Sequence, residues 1–121
     1  MLDTAAGAEV VRSYYDMVDL GDVEGLLQLF SESAVYRRPG YAPLVGRAEL
    51  RAFYASQRVI DHGRHELTEL VSEPGKVAVR GTFSGTLKDR STLDVDFADF
   101  FVLEPSGRFS RRDTFFYVPA V

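Results

Sequence analysis

Four stretches in the second half of the chain constrain the fold most, because their apolar residues alternate: His65 to Glu73, Lys76 to Leu87, Thr92 to Leu103 and Arg108 to Val118. Only Pro74-Gly75, Lys88 to Ser91 and Pro105-Ser106-Gly107 separate them. Alternation with period two marks strands that bury one face, and turns this short join strands as antiparallel neighbours. Such a meander needs another layer over its apolar face.

The first half supplies that layer. Val10, Tyr14, Met17 and Val18 recur at helical spacing and predict a helix from Thr4 to Leu20, ended by Gly21. Asp22 is a good N-cap, and Val23, Leu26, Leu27 and Phe30 continue as a short second helix. A third helix is predicted from Arg47 through Leu50, Phe53, Tyr54 and Gln57. Between the second and third, Ala34 to Arg38 reads as a short strand stopped by Pro39-Gly40, and Asp61 to Arg64 reads as a polar loop. The expected class is α+β, with the helices on one face of a curved sheet.

With 121 residues, 45% of them apolar, the chain has room for one core, so residues 1–121 are read as a single domain. Its 18 acidic and 14 basic residues are spread along the chain and leave no basic stripe for nucleic acid phosphates. The absence of cysteine removes disulfides, thiolate nucleophiles and cysteine metal sites. No stretch approaches the ~20 apolar residues of a membrane span. The amino terminus carries Asp3 and Glu9 where a signal peptide would be basic, so a cytoplasmic location is expected. Neither a glycine-rich phosphate cradle, a serine elbow nor a zinc signature appears, and no metal or cofactor is expected.

Chemistry first shows itself on the third long strand. One face there carries Val95, Phe97, Asp99, Phe101 and Leu103, with Asp99 its only polar member. Among phenylalanines a carboxyl group loses hydration, which favours its protonated, hydrogen-bond-donating form. The competing reading is an ion pair with an arginine of a neighbouring strand, Arg80 or Arg112. Tyr14 on the first helix and Tyr54 on the third bring phenols that need buried partners. Such donors converging on an apolar cavity would form an oxyanion hole.

The residues Tyr14-Tyr15-Asp16-Met17-Val18-Asp19-Leu20-Gly21-Asp22, Ala34-Val35, Pro39, Gly46-Arg47, Phe53-Tyr54 and Phe97-Ala98-Asp99-Phe100 resemble bacterial ketosteroid isomerases of the nuclear-transport-factor-2-like superfamily, which includes SnoaL-type polyketide cyclases. The resemblance implies a cone-shaped α+β barrel in which three N-terminal helices pack on a strongly curved, mixed but mainly antiparallel sheet. It also implies an apolar small-molecule ligand and a homodimer formed through the outer sheet face. Tyr14 matches the isomerase's oxyanion-hole tyrosine, Tyr54 its supporting tyrosine and Asp99 its protonated aspartic acid, a role for which that isomerase is the standard example.

The isomerase's catalytic base precedes the proline of the first-strand loop, and here Arg38 stands before Pro39. Arginine stays protonated and cannot abstract a carbon-bound proton, so steroid isomerase activity is not expected. Facing the cavity, Arg38 would hold a carbonyl or anionic oxygen, or pair with Asp99. Asp113 is a substitute base by its resemblance to the last-strand aspartate of SnoaL-type cyclases. A gapless register turns Arg112, Thr114 and Phe116 inward and Asp113 outward, and a bulge would reverse this. His65 is a further candidate base. Phe97, Phe101, Tyr36 and Phe116 complete the expected substrate-binding set. The expected function is cofactor-independent isomerisation, cyclisation or hydrolysis of an apolar carbonyl- or epoxide-bearing metabolite. The alternatives are a non-catalytic binding protein with the same cavity and an adaptor using the outer face.

Overall fold

Asp3 starts the first helix, α1 (Thr4–Leu20), by accepting a hydrogen bond from the Ala6 amide at 2.8 Å. Gly21 stops it in the left-handed conformation at φ 76°, where the Gly21 and Asp22 amides turn back to the carbonyls of Val18 and Met17 at 3.0 and 2.9 Å. A residue with a Cβ is strained in that conformation. Asp22 then caps α2 (Val23–Leu27) through the Gly25 amide. These are features of a computed structural model that describes residues 3–118.

Six strands follow or intervene: β1 (Phe30–Arg37), β2 (Leu44–Val45), β3 (Ile60–Glu73), β4 (Lys76–Leu87), β5 (Thr92–Leu103) and β6 (Phe109–Tyr117). Their order is β2-β1-β6-β5-β4-β3. All neighbours run antiparallel except β1 and β6, which makes the sheet mixed. The helix α3 (Gly46–Ala52) continues into a π-helical turn over Phe53–Gln57. Three helices therefore lie on a six-stranded mixed sheet that does not close among the described residues.

Three local expectations need correction. Phe30 belongs to β1, which is longer than the predicted Ala34–Arg38 segment and ends at Arg37. The third helix is broken into an α and a π portion. Asp61 to Arg64 is strand, since β3 begins at Ile60 and pairs residues 62–64 with Thr86, Gly85 and Ser84. Its polar residues misled the reading because Gly63, opposite Gly85, leaves room for the Phe83 ring. A Cβ at Gly63 would stand 2.3 Å from that ring, which comes from the neighbouring His65–Phe83 pair and covers the two glycines.

The buried stripe of α1 is Val11, Tyr14, Tyr15 and Val18, with Val10 and Met17 at its edge. It packs with Leu26, Leu27, Leu50, Phe53 and Tyr54 on the inner row of the sheet. Along β5 that row is Phe97, Asp99, Phe101 and Leu103, the face defined by sequence parity. Phe100, Phe115 and Tyr117 project from the outer face and are more than half exposed.

Candidate active site

Arg112 organises the interior. It comes from β6 with Thr114 as the next inward residue, and the register sets Phe101 opposite Arg112 and Asp99 opposite Thr114. The diagonal neighbours Arg112 and Asp99 form an ion pair with Nη2 2.8 Å from Oδ2. Asp99 is 0% exposed and Arg112 5%. Arg80, the other partner considered, lies outside with Glu69.

Asp99 is surrounded by donors. The Tyr15 phenol donates to Oδ2 alongside Arg112, and the Thr114 hydroxyl donates to Oδ1. Since Thr114 spends its single proton there, the Tyr36 hydroxyl, 3.1 Å away, must be the donor to Thr114. A carboxyl that accepts from a guanidinium, a phenol and a hydroxyl is not placed as a neutral donor. The hydrogen-bond pattern therefore replaces the protonated-acid role with that of a carboxylate, because Arg112 brings a permanent charge to it.

The other terminal guanidinium nitrogen, Nη1, reaches the hydroxyls of Tyr14 at 2.5 Å and Tyr54 at 3.1 Å, and these two hydroxyls bond to each other. The guanidinium carbon also sits between the rings of Tyr14 and Tyr36, 4.6 and 4.5 Å from their centres. Burial raises the Tyr14 and Tyr15 phenols well above their ordinary pKa and pushes Tyr54 up to about 12, with Arg112 opposing the rise in each case. All three are neutral O–H donors across physiological pH. Burial works against the charge of Arg112, but Asp99 and the tyrosine oxygens outweigh it, and the guanidinium is held protonated.

Tyr14, Tyr36, Tyr54 and Asp99 are thus brought together, and Phe97 and Phe101 pack against Tyr15 at ring separations of 5.8 and 6.1 Å. Asp113 is not part of this cluster. No bulge intervenes beside it, so it pairs with Phe100 and points to the outer face, where it takes two hydrogen bonds from Arg37 at 2.9 Å and one from Arg111. Arg37 holds its carboxyl below the usual carboxylate range. The expectation of Asp113 as a base in the cavity is corrected accordingly.

His65 stands on β3 among Tyr15, Phe83 and Phe97. Its Nδ1 is 2.6 Å from Asp19 Oδ1, and its backbone amide donates to Oδ2 of the same carboxylate at 2.9 Å. Arg38 does not meet Asp99. It lies half-buried with its guanidinium over Tyr41, Phe53 and Phe116. Sequence reasoning missed Tyr15 and Asp19. Tyr15 was signalled by its place one helical turn after Val11, which widens the stripe; Asp19 carried no local signal.

The architecture is that of the nuclear-transport-factor-2-like proteins, with an aromatic and hydroxyl-rich interior under a curved sheet. SalBIII, described as an epoxide hydrolase/cyclase-like enzyme in pyran ring formation in the polyether salinomycin, superposes with a TM-score of 0.81 at 25% identity, covering 92% of this chain and 90% of that one. A nuclear-transport-factor-2-like protein of unknown function from Burkholderia pseudomallei K96243 gives 0.82 at 19% identity over 93% and 91% of the two chains. A protein with a ketosteroid isomerase-like fold from Catenulispora acidiphila DSM 44928 gives 0.78 at 15% over 88% and 84%. The chain belongs to the SnoaL-like domain family, which matches residues 11–112.

Proposed function

We propose that the domain takes an apolar metabolite onto the inner face of its sheet and, without a cofactor, opens an epoxide or enolises a carbonyl in it. The observation that carries this reading is the tyrosine pair held by Arg112. Its two phenol oxygens accept from one Nη1, and one phenol donates to the other, which leaves one phenolic O–H over. With Tyr14 donating, the spare donor belongs to Tyr54, the more exposed of the two at 7% against 1%. A neutral donor backed by a buried cation is suited to an oxygen that gains negative charge. Asp99 serves here as the positioning group for Arg112.

His65 is the base. The Asp19 carboxylate faces Nδ1, which in the neutral imidazole places the lone pair on Nε2, where it can take a proton from an attacking hydroxyl or from the carbon beside a carbonyl. The likeness to SalBIII supports the epoxide side of this reading. The filled acceptor set of Asp99 and the near-complete burial of the network favour a second reading, a binding protein without chemistry.

Styrene oxide and 3-cyclohexen-1-one, incubated with the protein in deuterated buffer, distinguish the two. Diol formation, or enone isomerisation with deuterium uptake, is expected with the wild type, and Tyr54→Phe should lower the rate about 10²–10³-fold. Both probes bound yet recovered unchanged and unlabelled would favour the binder. An unaltered rate in Tyr54→Phe would remove the tyrosine pair from the mechanism.

A further inference from the structure

Arg38 continues the inner row of β1 by parity, one step beyond Ala34 and Tyr36. Its guanidinium carbon is 5.2 Å from the ring centre of Tyr41 and 5.3 Å from those of Phe53 and Phe116. Its Nε is sealed from solvent and has no hydrogen-bond partner among the described residues. The carboxylates nearest in the sheet are engaged elsewhere, Asp99 by Arg112 inside and Asp113 by Arg37 and Arg111 outside.

A guanidinium is charged at every accessible pH, and an N–H that has lost water without gaining an acceptor is destabilised. Ring contacts favour the cation but supply no acceptor for its N–H groups. The Asp99 charge is already matched by Arg112, so Arg38 is an uncancelled positive charge facing aromatic walls. Those walls lead inward: Phe53 stands edge-on to Tyr36 at 5.9 Å and to Tyr54 at 5.1 Å.

We infer that Arg38 anchors the ligand through a carboxylate, and that the substrate is an anionic metabolite with an apolar body lying along Phe53 and Phe116 toward the Tyr54 hydroxyl. The inference rests on the proposed use of the inner face for a small molecule and adds the charge of that molecule. A carboxylate supplies the missing countercharge, its two oxygens match the fork of the guanidinium, and it becomes an acceptor for Nε once the ligand displaces the side chains that cover that atom.

Calorimetric titration with 2-naphthoate and its neutral counterpart methyl 2-naphthoate tests this. The wild type should bind the acid at least about tenfold more tightly than the ester. Arg38→Met should abolish that preference while keeping the ester affinity, which also reports an intact fold; Arg38→Lys should retain part of it. Arg37→Met, on the outer face, should change neither affinity. Equal binding of acid and ester by the wild type would overturn the inference alone, as would an equal loss of preference in Arg37→Met. Binding of neither compound would overturn it together with the small-molecule reading.

Discussion

Arg112 illustrates how a buried charge is held by its partners, even though its Nε has none among the described residues. It faces one carboxylate and two phenol oxygens and is packed between two aromatic rings. Removing it strands Asp99 in the interior, so Arg112→Met should destabilise the fold by about 3–5 kcal/mol, measured by urea denaturation. Removing Asp99 as well should recover much of that loss, since an apolar pair needs no countercharge; a double variant as unstable as the single one would refute the coupling. The phenols give a second prediction. Tyr14, Tyr15 and Tyr54 have folded pKa values above the unfolded value of about 10, so their contribution is complete below pH 10 and is lost as pH rises through the folded values, for Tyr54 near 12. With three protons held more tightly by the folded state, stability should fall by up to about 4 kcal/mol per pH unit above pH 10. Tyrosinate absorbance should show these three of the six tyrosines ionising only with unfolding. The sequence made Asp99, Tyr14 and Tyr54 visible because each is an oddity within a regular pattern. Tyr15 looked ordinary locally and gains its meaning from a partner 84 residues away, whereas Arg112 was one of two arginines open as the partner of Asp99, and only the structure chose it.

At the scale of elements, the meander was legible nearly to its ends because alternation and turn residues are local signals. The gapless register that sorts β6 into inward Arg112 and Thr114 and outward Asp113 could be written down but not told from a bulged one. It depends on where a bulge falls, and the irregularity lies between Val102 and Leu103, before the functional rungs begin. The long hairpin of β3 and β4 shows a related limit. Gly63 read as loop-forming and Gly81 carried no packing signal, yet Gly81 is a packing residue: a Cβ there would stand 2.4 Å from the Glu66 carbonyl oxygen and 3.0 Å from the Phe97 ring. Backbone cannot move aside without parting the strands. Gly81→Ala should therefore cost about 1–3 kcal/mol in thermal or chemical denaturation, unlike a typical loop glycine.

For the whole molecule, the homodimer implied by the family resemblance would cover Phe100, Phe115 and Tyr117 on the outer face, beside a groove of about 520 Å³ that includes Arg80, Asp96 and Ala98. Light scattering should give twice the chain's 13.5 kDa, and Phe115→Glu with Tyr117→Glu should halve that mass without loss of helix or strand signal. The sequence by itself determined the first two helices, the faces of β4 and β5 and the class of fold, because periodicity and capping act over a few residues and the burial they demand has few solutions. It also determined that one carboxyl must be buried. Only the tertiary structure decided what that carboxyl is: the register of β6 on β5 sets Arg112 and Thr114 beside Asp99, and the packing of α1 on the sheet brings Tyr15 to it. The charge of a buried group is set by its neighbours in space, which the order of residues along the chain does not display.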